Sequence, residues 1–280
     1  MKKQARNYIT GSLIVILLGI TFHSSSQCIS SVDSFKPGEK LVYDAYYNWG
    51  FIWIKVGEAI FEVRDSLRED RELMHFKGYG GSYPNYDWIY KVREDFNVTW
   101  DPSTNKAVDY TRTSTEGKFQ LKNSYWFDFD SLKLYTDVVS SERSHTLDTL
   151  AIKECTMDLL TSIYYARTLN YDDYQPEEKI PINVIIDNEV FDIYFRYLGK
   201  APLKLKTGRS FNTIAFRPYL VAGTVFDGGE DMTVWVSDDR NKIPVMVEAK
   251  ILVGSVKAVL REIQGNKFPI DGEILEVSEK

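Results

Sequence analysis

The stretch Met232–Ile263, MTVWVSDDRNKIPVMVEAKILVGSVKAVLREI, decides the fold. Thr233–Val236 is a β-branched and aromatic run, and Ser237-Asp-Asp-Arg-Asn-Lys242 is turn chemistry. Ile243–Val253 then alternates, with Val245, Val247, Ala249, Ile251 and Val253 on one face and Met246, Glu248, Lys250 and Leu252 on the other. Gly254-Ser255 breaks the run, and Val256, Ala258 and Leu260 resume it against Lys257 and Arg261. A period of two held this long predicts antiparallel strands with one face on a core. It dictates architecture and no chemistry.

The same signature extends outward. Asp33–Lys40 reads as a loop closing on Pro37-Gly38-Glu39, and Leu41–Asn48 and Ile52–Val63 as two strands about a turn at Asn48-Trp49-Gly50. Further strands are predicted at Leu73–Tyr79, Val92–Trp100, Val108–Thr113, Phe119–Phe129 and Lys133–Val138, with Ser140–Asp148 as a polar loop. One helix is expected at about 156–170, where Leu159, Leu160, Ile163, Tyr164 and Ala166 form an apolar stripe and Asp158 sits at the positive end of the helix dipole. A charged linker at 171–181 is the one place where two halves would meet. Beyond it come a hairpin over Asp187-Asn188, strands at Leu203–Thr207 and Ile214–Tyr219, and a loop around Gly228-Gly229. The expected fold is mainly β: a curved antiparallel sheet or open barrel of meander hairpins with one principal helix against it. It occupies 35–265 as a single domain, after a short segment at 27–34 and before a polar, frayed tail at 266–280. With 44% hydrophobic and 26% charged side chains among 280 residues, a sizeable core is affordable.

Residues 1–26 read as a signal peptide. Lys2, Lys3 and Arg6 supply the basic part, Leu13–Phe22 the apolar part, and Ser24-Ser25-Ser26 a small-residue site before Gln27. An uncleaved anchor is the alternative. Removing the segment leaves 31 basic against 40 acidic side chains, a net −9, which argues against nucleic acid or an anionic membrane surface as the main partner. Cys28 and Cys155 leave three readings open: a bridge in an oxidising compartment, a lipid-anchored Cys28, or two unpaired thiols.

No catalytic set emerges. His75 and His145 stand far apart without metal spacing, and no Gly-x-Ser-x-Gly, Gly-x-Gly-x-x-Gly or phosphate-binding Gly-Lys-Ser/Thr occurs. No cofactor and no metal are expected. Carboxylates cluster at Asp128/Asp130, Asp172/Asp173, Asp227/Glu230/Asp231 and Asp238/Asp239. They read as solvated turns, where Asp bonds its own backbone, ahead of a calcium loop or a glycosidase pair. Tyr86, Trp88 and Tyr90 share one face if their segment is extended, giving either a stacking platform for sugars or apolar ligands or three aromatics on the buried face of a strand. Arg167 falls on the apolar stripe of the helix, and a cation there needs a partner. That partner is an anionic ligand group inside a cavity, a core carboxylate, or the helix's last carbonyls.

Phe35-Lys-Pro-Gly-Glu-Lys-Leu-Val-Tyr43, the strand with Gly57-Glu-Ala59, Asp158-Leu-Leu-Thr-Ser-Ile-Tyr-Tyr-Ala-Arg167, and Trp235-Val-Ser-Asp-Asp-Arg-Asn-Lys-Ile-Pro244 with Gly254-Ser-Val256 stand in order along the chain. This pattern, from about Phe35 to Gly265, resembles the bacterial exported family called domain of unknown function 3108. The resemblance implies localisation to the periplasm or cell envelope and no reaction. The layout also looks like the periplasmic lipoprotein-localisation carriers, which wrap a curved sheet around a helix; that is an analogy of fold.

Three readings of function follow. The first is a non-enzymatic envelope protein that binds or carries an apolar or amphipathic small molecule or lipid in a sheet-lined cavity, with Arg167, Tyr86, Trp88 and Tyr90 as its contacts. The second is a structural or protein-interaction module whose core is full. The third is a hydrolase on carboxylates that no motif reveals. A cavity above about 300 Å³ separates the first from the second.

Overall fold

The computed structural model describes residues 28–29, 33–49, 52–222, 228–251 and 253–275. The expected signal peptide lies outside the described residues, as do Gly50 of the first predicted turn and the end of the tail. Strands β1 (Lys40–Trp49), β2 (Ile52–Arg68) and β3 (Arg71–Ser82) run as a meander. After a short helical turn α1 (Asp87–Tyr90) it continues through β4 (Val92–Asp101), β5 (Lys106–Glu116), β6 (Phe119–Asp128), β7 (Lys133–Ser140) and β8 (Thr146–Ala151). A two-residue strand β9 (Thr156–Met157) leads into helix α2 (Leu159–Ala166). The chain then returns to sheet with β10 (Lys179–Ile186), β11 (Glu189–Lys204), β12 (Ser210–Pro218), β13 (Met232–Ser237), β14 (Pro244–Lys250), β15 (Ser255–Gln264) and β16 (Glu273–Ile274).

All these strands belong to one curved, unclosed sheet in the order β8-β7-β6-β5-β4-β3-β2-β1-β15-β14-β13-β12-β11-β10-β9, with β16 added beside β12. Apart from β16 on β12, neighbours in the sheet are neighbours in sequence except at β1 and β15, which pair antiparallel from Lys40↔Gln264 to Tyr47↔Val256. The alternation in Met232–Ile263 becomes β13, β14 and β15, with Val245 and Ala249 buried. The expected curved sheet of meander hairpins with a helix against it is the fold observed.

Helix α2 packs against β3, β4 and β10, so it plugs the concave side. Gly78 permits the approach: a Cβ there would lie 3.3 Å from Leu160 Cδ1. Phe76 sits 4.4 Å from Tyr164 and 5.7 Å from Trp100, centroid to centroid, and Phe35 closes on Tyr164 at 4.9 Å. Such aromatic contacts add to the area that each ring buries. At the neighbouring bend, Gly57 lies so close to β3 that a Cβ would fall 2.1 Å from the Gly81 carbonyl oxygen.

Three expectations are corrected. The helix spans eight residues rather than about 156–170. Thr156 and Met157 pair with β10 instead, the Asp158 side chain caps the helix by accepting from Thr161 N at 2.8 Å, and the Arg167 N–H turns back to the Tyr164 carbonyl. The predicted loop 140–148 contains the start of an edge strand, since Thr146–Ala151 pairs with β7. Across the linker at 171–181 the chain stays in the one sheet, β10 lying between β9 and β11. The tail is docked through its described residues: Asn241 Nδ2 donates to the Phe268 and Pro269 carbonyls, and Arg209 holds Glu273.

Candidate functional site

Arg167 is the residue to begin from, because a cation at the end of a plugging helix has to be answered. It is fully buried, and so is its partner Glu39. Nη1 and Nη2 donate to Oε1 and Oε2 of Glu39 at 2.6 and 2.9 Å, a bidentate pair. Nε and Nη2 also donate to the Asn241 carbonyl at 3.2 and 3.1 Å, and Nη2 to the Ser34 carbonyl at 3.3 Å. The rings of Phe35 and Tyr164 flank the guanidinium, 5.2 and 5.6 Å from its carbon. Of the three partners open to Arg167 in the sequence, the core carboxylate is the one present, and the pair joins the N-terminal segment, the helix and the β13–β14 loop. The hydroxyls of Tyr43 and Tyr164 nearby have no hydrogen-bond partner, and burial holds both far above the ordinary tyrosine range.

The Tyr86–Trp88–Tyr90 segment is corrected. It is not extended: Pro84–Tyr86 is a 3₁₀ turn and Asp87–Tyr90 a single α turn, started by a proline that suits the first helical position. Trp88, Ile89 and Tyr90 point to solvent, and Tyr86 is half-buried. The turn is held from below. Ser82 Oγ donates to Asp87 Oδ1 at 2.6 Å, and Arg93 donates to Oδ1 at 3.1 Å and Oδ2 at 2.6 Å. Ser82 and Arg93 together depress the Asp87 carboxyl below its usual range.

Cys28 and Cys155 form a disulfide, their Cα atoms 4.9 Å apart, so the alternative of unpaired thiols does not hold. Cys155 lies in the crossing from β8 to β9, the two free edges of the sheet, and Ile29 beside the bridge is buried in the core. Next to it a pocket of about 40 Å³ is lined by Trp100, Phe129, Met157 and Thr161. A second, of about 10 Å³, lies between Tyr110, Arg112, Asn123, Tyr125, Ile185 and Asp187. Both are of water size, well short of the several hundred Å³ of a ligand pocket.

A charge network that the sequence reading missed borders the second pocket. Arg112 on β5 donates through Nε to Glu94 Oε2 at 2.9 Å and through Nη1 to Asp187 Oδ1 at 3.2 Å, while Glu116 lies 3.9 Å away. Burial first, and then the Glu94 charge, raises the Glu116 carboxyl. Asn188 N donates to Tyr125 Oη at 3.1 Å, so the network latches the β10–β11 tip to β5 and β6. The signal in the sequence was Glu94 and Arg112 in line, at a period of two, with Val98 and Trp100 and with Tyr110. Glu94 and Glu116 are both engaged by the one arginine.

Two of the other carboxylates are turn chemistry: Asp128 accepts from Ser131 N and Oγ, and Asp239 from Asn241 N and Gly272 N. Asp172 and Asp238 share Lys200 at 2.8 and 3.1 Å. Arg196 grips Glu230 at 2.7–2.9 Å and, with Tyr194, holds its carboxyl down to about 2, while Asp227 lies outside the described residues. His75 meets Asn97 and His145 meets Asp137. Among the described residues no group of three His, Cys, Asp or Glu side chains is placed to hold a metal ion.

Comparison with known proteins gives the family. A profile described as "Protein of unknown function (DUF3108)" matches residues 42–261, more than half of the chain. The chain belongs to the DUF3108 family. Its fold is shared more widely. The DUF3108 chain superposes on the crystal structure of a beta-barrel-like protein of domain of unknown function DUF1849 from Brucella abortus with a TM-score of 0.53 and 11% identity, covering 82% of this chain and 98% of that one. At that identity the likeness is one of fold. No curated protein matches the DUF3108 chain.

Proposed function

We propose that this chain is a non-catalytic, exported protein of the bacterial cell envelope that works as an interaction module through the outside of its curved sheet. The observation carrying this reading is the filled interior. The cation that would have greeted an anionic ligand is spent on Glu39, α2 and its aromatic neighbours occupy the concave side, and the two best-formed pockets are of water size. A carrier of an apolar ligand would need more room than either of these pockets offers. Export is supported by the basic and apolar segments that begin the chain and by a disulfide, which persists in oxidising compartments.

Native mass spectrometry of the protein taken from the envelope fraction, with extraction of bound small molecules, tests the reading. The expected species is the bare chain with Cys28 and Cys155 joined. One equivalent of a retained lipid or other small molecule would restore the carrier to first place, and a cytosolic protein with both cysteines reduced would remove the envelope assignment.

A further inference from the structure

Four connections at one end of the sheet lie side by side, because β14, β15, β1, β2, β3, β4 and β5 are consecutive in it. Tyr47 Oη donates to the Val253 carbonyl at 3.1 Å, Tyr83 N to the Val56 carbonyl at 2.7 Å, and Gly117 N to the Lys91 carbonyl at 2.8 Å, tying the β1, β3–β4 and β5–β6 connections to their neighbours. Three of the four present apolar side chains to solvent: Ile52 is 66% exposed, Val253 73%, Trp88 82%, Ile89 53% and Tyr90 54%. Exposed Lys91, Lys118 and Lys250 stand between them. At the opposite end of the same strands the exposed β2–β3 turn is charge-balanced, with Arg68, Glu69, Asp70 and Arg71 in succession.

We infer that this end docks on a phospholipid bilayer carrying anionic headgroups, with Trp88, Ile89 and Tyr90 entering the interface. This rests on the reading above that the outer surface is the working part, and it names the partner. A core-bound aromatic would be covered, whereas these are presented by a turn that Ser82, Asp87 and Arg93 hold rigid. Tryptophan and tyrosine favour the headgroup level, where an apolar ring and a polar edge are both satisfied. The lysines supply charge complementarity to anionic lipid, as on other surface-bound elements. The overall negative charge argues against a broad electrostatic contact. It leaves room for a small tip whose own exposed charges are Lys91, Lys118 and Lys250.

The test uses the full chain and mixed phosphatidylcholine–phosphatidylglycerol vesicles bearing brominated acyl chains. The readout is the quenched tryptophan emission of the wild type minus that of Trp88→Phe, so attachment through the N-terminal segment does not register. Quenching at Trp88 is expected, and Ile89→Ser with Tyr90→Ser should lower apparent affinity about tenfold. Lys91→Glu with Lys118→Glu should weaken binding to the mixed vesicles and leave pure phosphatidylcholine unaffected. All five positions are on the surface, so circular dichroism should be unchanged. No quenching at Trp88, or a photo-crosslinker at position 88 that captures protein or a second copy rather than lipid, would overturn the inference while leaving the interaction module standing. A lipid retained inside the fold would remove that module without altering the quenching measured at the tip.

Discussion

Arg167 and Glu39 illustrate how a buried charge is tolerable as a pair and costly as a half. Arg167→Met leaves Glu39 without its guanidinium in a dry site, and the loss should be about 3–5 kcal/mol. Glu39→Leu combined with Arg167→Met should recover most of it, since an apolar pair of similar volume carries no desolvation cost. Urea unfolding of the two single variants and the double variant measures this. The wheel position of Arg167 announced that a partner existed, but Glu39 lies 128 residues away, and nothing in Pro37-Gly38-Glu39 marks it as anything beyond a turn. Asp158 offers a second case. Burial raises its carboxyl from 3.8 to about 6, against the opposing hydrogen bonds from Thr161. A folded-state value above the unfolded one means that the native state holds the proton more tightly. Its contribution is therefore complete below pH about 4 and lost as pH rises through about 6, a difference of about 3 kcal/mol. Asp158→Asn keeps a cap for Thr161 N and should abolish that slope when unfolding is followed between those pH values.

Elements were legible where one periodicity ran long and ambiguous where two fitted a few residues. The Asp187-Asn188 hairpin turn follows from its residues, and both have positive φ, 46° and 69°. Tyr86, Trp88 and Tyr90 fit a strand period over five residues, yet Trp88-Ile89-Tyr90 fits a single helical turn equally well, and Pro84 settles it. Helix α2 came out short because Thr156 and Met157 had a strand to join, a tertiary demand that no helical wheel contains. The edge strand β8 looked like loop because an exposed strand needs few apolar residues. The close contact at the β2–β3 bend gives a paired prediction. Gly57→Ala drives a methyl into the Gly81 carbonyl and should cost about 1–3 kcal/mol or more as the strands part. Gly80→Ala finds its nearest atom 3.9 Å away, at Glu94 Cβ, and should stay within about 0.5 kcal/mol of wild type. Thermal melts of both variants side by side make the comparison.

At the scale of the molecule, the disulfide bridges residues 127 apart, beside the gap between the free edges. Chain entropy puts the effect of such a link at up to about 5 kcal/mol, so the urea midpoint should fall clearly when the protein is reduced and alkylated. The β class was evident from alternation alone, but the pairing of β1 with β15, which joins the first strand of the chain to a strand near its end, was not. That seam also sets an order of events. Every other neighbour in the sheet can zip as a local hairpin or a short crossover, so β2–β8 and β9–β14 can assemble as soon as each is synthesised. The seam closes a loop of nearly the whole chain, and such non-local contacts are what slow folding. Strand β1 must wait, with its partner side unpaired, until β15 has emerged. A circular permutant opened between β8 and β9, with the segment after β16 linked back to the segment that precedes β1, would shorten the longest closure and should fold faster to the same sheet.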